Sequence, residues 1–104
     1  MTQDALQAHL DRLRAKFAAE LPQRLAEADA LLAALRDGDA EALKGLRFVT
    51  HRLNGTGGTM GFAALSGAAA ALEARLDACL RAGGAGPEDL TAIAAGLAAV
   101  KAAA

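Results

Sequence analysis

The chain has 104 residues, with 11 Lys+Arg against 12 Asp+Glu, and no Trp or Tyr. Of its hydrophobic residues 30 are Ala and 17 are Leu, against two Val, one Ile and three Phe; this is helix-forming composition, which predicts an all-α fold and excludes a β-sandwich or βαβ plan. A formal charge of −1 gives no field to gather nucleic acid or an anionic membrane, and the length fits one domain over residues 1–104.

Thr2 is placed to cap a first helix, whose stripe is Leu6, Leu10, Leu13 and Phe17. Pro22 interrupts it, so the pattern predicts either a new helix from Glu20–Leu21 or one long helix kinked there. The stripe resumes as Leu21, Leu25, Ala28, Leu32 and Leu35, until Asp37-Gly38-Asp39 stops it, Gly38 as C-cap and Asp39 as the next N-cap. Leu43, Leu46, Val49, Leu53, Gly57 and Met60 mark the apolar side of the following segment. Another helix runs from about Phe62 through Leu65, Leu72, Leu76 and Leu80. Ala82–Gly86 reads as a linker, Pro87 fits a first helical turn, and Leu90, Ile93, Leu97 and Val100 form the last stripe, ahead of an Ala-rich end expected to fray. The expected architecture is an antiparallel up-down four-helix bundle with an additional short or kinked N-terminal helix.

The longest stretch poor in charge, Phe48–Leu72, has seven polar or Gly residues between Asn54 and Gly61 and is no membrane span. The polar N-terminus lacks a secretory layout, and one cysteine cannot close an internal disulfide. A cytoplasmic location is the expectation. Cys79 reads as a small core hydrophobe and His9 as a partly buried packing residue.

Residues 50–61, THRLNGTGGTMG, break helical rules: four glycines fall between positions 55 and 61, each costing about 1 kcal/mol inside a helix. A phosphate-cradling loop fails its motifs, because there is no G-x-x-x-x-G-K-[ST] and Met60 stands where G-x-G-x-x-G needs its last glycine. If the helix continues, Lys44, Arg47, Phe48, His51, Asn54, Gly55 and Gly58 share the face opposite the apolar side. His51 is then exposed in mid-helix, with glycines leaving room for a partner or a phosphoryl group. Imidazole is a nucleophile near neutral pH, and Arg47, Lys44, Asn54, Thr56 and Thr59 offer charge or donors. A Ser/His/Asp hydrolase lacks its placed partners, and two His without a carboxylate or Cys cluster make no metal site. Arg52 points further round and reads as plain surface, while Gly57 falls on the core side.

The pattern His51-x-x-Asn54-Gly55-x-x-x-x-x-Gly61 resembles the H-x-x-K-G-x-x-x-x-x-G signature of histidine phosphotransfer (HPt) domains of two-component phosphorelays. Leu21-Pro22-Gln23-Arg24-Leu25, the Asp37-Gly38-Asp39 turn and Leu72-Glu73 agree with that family's layout, over essentially the whole chain. The resemblance implies a four-helix bundle whose exposed His51 takes a phosphoryl group from a receiver aspartate or a (hybrid) histidine kinase. It then passes the group to a response regulator receiver domain. It implies a phosphohistidine carrier rather than an enzyme, with Gly55 and Gly61 as motif glycines. No cofactor or metal is expected on this chain; Mg²⁺ belongs to the receiver. Asn54 replaces the family's Lys and supplies no charge; Arg47, one turn before His51, is the expected substitute, with Lys44 a further cation. Phe48 is the expected docking contact. The alternative function is a phosphorylation-independent docking or dimerisation module on the same fold.

Overall fold

In the computed structural model, which describes residues 2–104, four helices follow one another: α1 (Gln3–Arg36), α2 (Glu41–Thr59), α3 (Ala63–Ala82) and α4 (Pro87–Ala103). Consecutive helices pack on each other through connections of three or four residues, and α4 closes the bundle against α1. Short connections between packed neighbours make the arrangement antiparallel.

Helix ends follow from local chemistry. Thr2 Oγ1 accepts from the Ala5 amide at 3.0 Å, capping α1 as expected. At its other end Gly38 takes φ +98°, and the amides of Gly38 and Asp39 return to the carbonyls of Leu35 and Ala34; this is the left-handed turn that glycine makes without a Cβ clash. Asp39 Oδ1 accepts from the Glu41 amide at the start of α2. Gly61 and Gly83 close α2 and α3 in the same left-handed way, with φ +89° and +88°. Pro87 opens α4, where Asp89 accepts from the Gly86 amide.

The expectation of a separate or additional N-terminal helix is corrected. One 34-residue helix continues through Pro22, the second of the two alternatives, giving four helices among the described residues. Pro22 lies on the exposed face, where the carbonyl it leaves without an amide partner is hydrated at little cost. A helix of that length reaches about 51 Å, against about 30 Å for α2 or α3, and the molecule measures 52 × 21 × 20 Å. The first turns of α1, ahead of Arg14, therefore overhang the bundle. Leu6 and Leu13 are exposed there, and so is His9, which corrects the expectation of partial burial. The Ala-rich C-terminus stays helical to Ala103.

The core is mostly leucine: Leu21, Leu32, Leu43, Leu46, Leu53, Leu65, Leu72, Leu76 and Leu97, with Ile93, Val100 and Cys79. Small residues set the helix spacing. A Cβ added at Gly96 of α4 would stand 2.9 Å from Leu72 Cδ1 of α3, so these helices approach as closely as a glycine permits. Buried Gly57 likewise lies against Leu65 and Phe17. Two contacts fasten the α2–α3 turn to α1: Arg14 Nε donates to the Met60 carbonyl at 2.9 Å, and the rings of Phe17 and Phe62 stack tilted at 5.2 Å. Helix α2 is thereby held along its length, between α1 on one flank and α3 on the other.

Candidate functional site

The glycine-rich segment is helical, and α2 continues through it to Thr59. Leu43, Leu46, Thr50, Leu53 and Gly57 turn inward, with Thr50 spending its hydroxyl on the Leu46 carbonyl at 2.7 Å. The opposite face holds His51, exposed, with Lys44, Phe48, Gly55 and Gly58 also exposed and Arg47 and Asn54 half-buried. All the candidate residues of α2 thus lie on the solvent side of one rigid helix.

His51 is not left to rotate. Its Nδ1 lies 2.9 Å from Glu73 Oε2 on α3. A carboxylate only accepts, so Nδ1 carries the proton in this contact, and in the neutral imidazole the lone pair is then on Nε2. The hydrogen bond also orients the ring: Nδ1 faces α3, and Nε2, across the imidazole, faces away from it.

Glu73 is itself held by two further groups. Arg47 reaches Glu73 Oε2 at 3.4 Å and Asp77 Oδ1 at 3.0 Å, bridging two carboxylates one helical turn apart on α3. Asn54 Nδ2 lies 3.4 Å from Glu73 Oε1, while Ser66 Oγ lies 2.7 Å from the Asn54 amide oxygen and 2.9 Å from its carbonyl. With a single proton, the Ser66 hydroxyl serves one of these acceptors at a time. Arg47 and Asn54, expected to support a phosphate, are thus engaged with α3. Lys44 sits one turn below them, in a 3.5 Å contact with Glu41 and with most of its side chain in water, where such pairs contribute little.

The glycines divide into three uses. Gly55 has open space where a Cβ would stand, Gly58 admits Ser66 (a Cβ would meet its Oγ at 3.1 Å), and Gly61 makes the turn. Phe48 is the most exposed large apolar residue at 59%, with Arg52 Cζ 5.8 Å above its ring. Beside it a groove of about 220 Å³ opens between α1 and α2, lined in part by Phe17, Glu20 and Thr56.

No role for Glu73, Asp77 or Ser66 follows from their positions in the sequence. The signal that was present is the i, i+4 pair of acids on α3, flanked by Ala, but its meeting with His51 depends on how α2 and α3 are paired in space.

No curated protein and no solved structure matches the chain. The family model described as the Hpt domain matches residues 4–103, essentially its whole length. That family carries histidine phosphotransfer in two-component phosphorelays, its members acting as phosphoryl carriers for kinase and receiver partners. With an all-α four-helix bundle, His51 exposed on its second helix, and the family model matched over nearly every residue, the chain belongs to the Hpt domain family.

Proposed function

We propose that His51 is the phosphorylated residue, and that this chain relays a phosphoryl group from the aspartyl phosphate of a receiver domain, or from a histidine kinase, to a response regulator. The observation that carries the reading is the His51–Glu73 contact on an exposed helix face; with Nδ1 donating to Glu73, the neutral imidazole has its nucleophilic lone pair on Nε2. Nε2 attacks phosphorus, the Nε2–P bond forms, and the bond from phosphorus to the donor's carboxylate oxygen breaks. The carboxylate leaves with the bonding pair, and no proton has to move.

The imidazole ring gains positive charge in this step and shares it with Nδ1–H, which points at Glu73. A charge-assisted hydrogen bond strengthens as that charge grows. Arg47, itself anchored by Asp77, and Asn54 keep the Glu73 carboxylate in place, so their support of the phosphoryl group is indirect in this reading. Mg²⁺ and most transition-state stabilisation come from the receiver. Phe48 supplies an apolar docking contact for a transient complex.

The test is transfer from a panel of phosphorylated receivers to the native chain and to His51→Gln. Acid-labile, base-stable label on the native chain alone supports the relay. Binding of a receiver without any label supports the docking-module alternative, for which Asn54 in place of Lys is the motivating departure. Within the relay, Glu73→Ala slows labelling about tenfold, the loss expected for one hydrogen bond to a charged group.

A further inference from the structure

We infer that the cation meeting the phosphoryl group is Arg52, on the α1-facing flank of α2, rather than Arg47; the inference rests on the relay reading above. On a helix turning about 100° per residue, Arg47, Asn54 and Gly58 fall about 20–60° to one side of His51, the side of α3. Gly55, Phe48, Thr59 and Arg52 fall about 40–100° to the other. The contacts agree with this division. Arg47, Asn54 and Gly58 all meet α3 residues, whereas Phe48 and Arg52 line the groove against α1.

Glu73 holds Nδ1 on the α3 side, so the lone pair of Nε2, and any phosphoryl group bonded to it, lies on the α1 side. There His51, Arg52, Gly55, Thr56, Thr59 and Met60 line one shallow depression. Thr59 has already given its hydroxyl proton to the Gly55 carbonyl at 3.0 Å. Asn54 turns its amide to Glu73 and Ser66, and Arg47 is neutralised by two carboxylates; Lys44 lies about two helical turns, roughly 10 Å, from His51. Arg52 makes no ion pair within 4 Å among the described residues; it lies over the Phe48 ring, in the groove that Glu20 and Glu27 also line, a contact weak enough at an exposed site to release. A planar guanidinium with free donors suits a dianionic phosphoryl group. Arg52 therefore exchanges its place over Phe48 for the phosphoryl oxygens when His51 is modified, and a receiver docking on Phe48 meets the ring uncovered.

The experiment separates chemistry from docking by using phosphoramidate as well as a phosphorylated receiver. With phosphoramidate the Nε2–P bond forms as the donor's P–N bond breaks, and the protonated amine leaves as ammonia. Label on His51 is followed for the native chain and for Arg52→Ala, Arg52→Lys, Arg47→Ala and Phe48→Ala. Arg52→Ala slows labelling by phosphoramidate about tenfold and Arg52→Lys recovers most of the loss. Phe48→Ala is slow only with the receiver, and Arg47→Ala stays within about threefold of native with phosphoramidate, because it acts through Glu73. Native-rate labelling of Arg52→Ala by phosphoramidate overturns the assignment while leaving the relay intact. A tenfold loss in Arg47→Ala alone places the phosphoryl group on the α3 flank and also overturns it. A native chain that takes no label on His51 from either donor ends the relay reading and this one together.

Discussion

Gly55→Ala pulls stability and transfer in opposite directions. The residue is in the interior of α2, and a Cβ built there has nothing within 4 Å. The added methyl clashes with nothing and removes conformational freedom from the unfolded chain, a gain of about 0.4–1 kcal/mol. For a domain of this size, each kcal/mol moves the melting temperature by about 4–8 °C, so the expected rise is about 2–8 °C. The same methyl stands one turn beyond His51, in the depression faced by Nε2, and transfer from a phosphorylated receiver falls about tenfold, since small misplacements of reacting atoms are costly. Melting is followed by far-UV circular dichroism at the helical minimum, because a chain without Trp or Tyr offers little fluorescence to follow. Gly61→Ala is the control: at φ +89° a side chain is strained by about 1–2 kcal/mol, and the melt falls by at least about 4 °C. A lower melting temperature for Gly55→Ala refutes the helical reading of the segment. A higher one with native transfer refutes the claim that this glycine keeps space for the reacting groups.

Leu76→Ala, at a fully buried position in α3, costs about 2–5 kcal/mol, read as a lower urea midpoint at constant slope. Burial first, and then the nearby Asp89 carboxylate, push the Cys79 thiol above its ordinary value of 9.0, against a smaller opposing effect of Arg75. The native chain should therefore react with a disulfide reagent only as fast as it opens, and urea should accelerate the reaction. The folded state holds this proton more tightly than the unfolded one, so the thiol's contribution is complete below pH 9 and is lost as pH rises through the folded value. Cys79→Ala should flatten that alkaline decline in urea titrations. Removing residues 2–9, which are all exposed, leaves the melting temperature within about 4 °C of native, the response expected where no packed side chain is lost.

Most helix boundaries were legible because each is a local event. Gly38, Gly83 and Pro87 punctuate the chain where backbone sterics demand it, and Thr2 caps through its own hydroxyl. The exposure of His51 was equally legible, since one helical period fixes which residues share its face. The sequence left open whether Pro22 starts a new helix or lies within one long helix: the penalty depends on whether the freed carbonyl meets water or protein, which only the packed bundle decides. His9 failed for a related reason, because a residue near an apolar stripe is buried only where another helix covers the stripe, and α1 outruns its neighbours. The Glu73–Arg47–Asp77 arrangement was hidden because it is set by the register of α2 against α3, over separations of 26 and 30 residues.

The amide missing at Pro22 should also divide α1 into two cooperative units. With no amide proton at Pro22 the ladder is interrupted at the Ala18 carbonyl, just before Leu21, the first buried residue of the helix. Unwinding that starts at Thr2 can travel along the overhang, past Arg14 and Phe17 once their contacts release, without disturbing the core beyond. Amide exchange should therefore change sharply along this one helix: rapid and locally gated through the first dozen residues, then limited by global opening from Ala26 onward. The overhang can rearrange on a timescale of its own while α2 keeps His51 in register with Glu73.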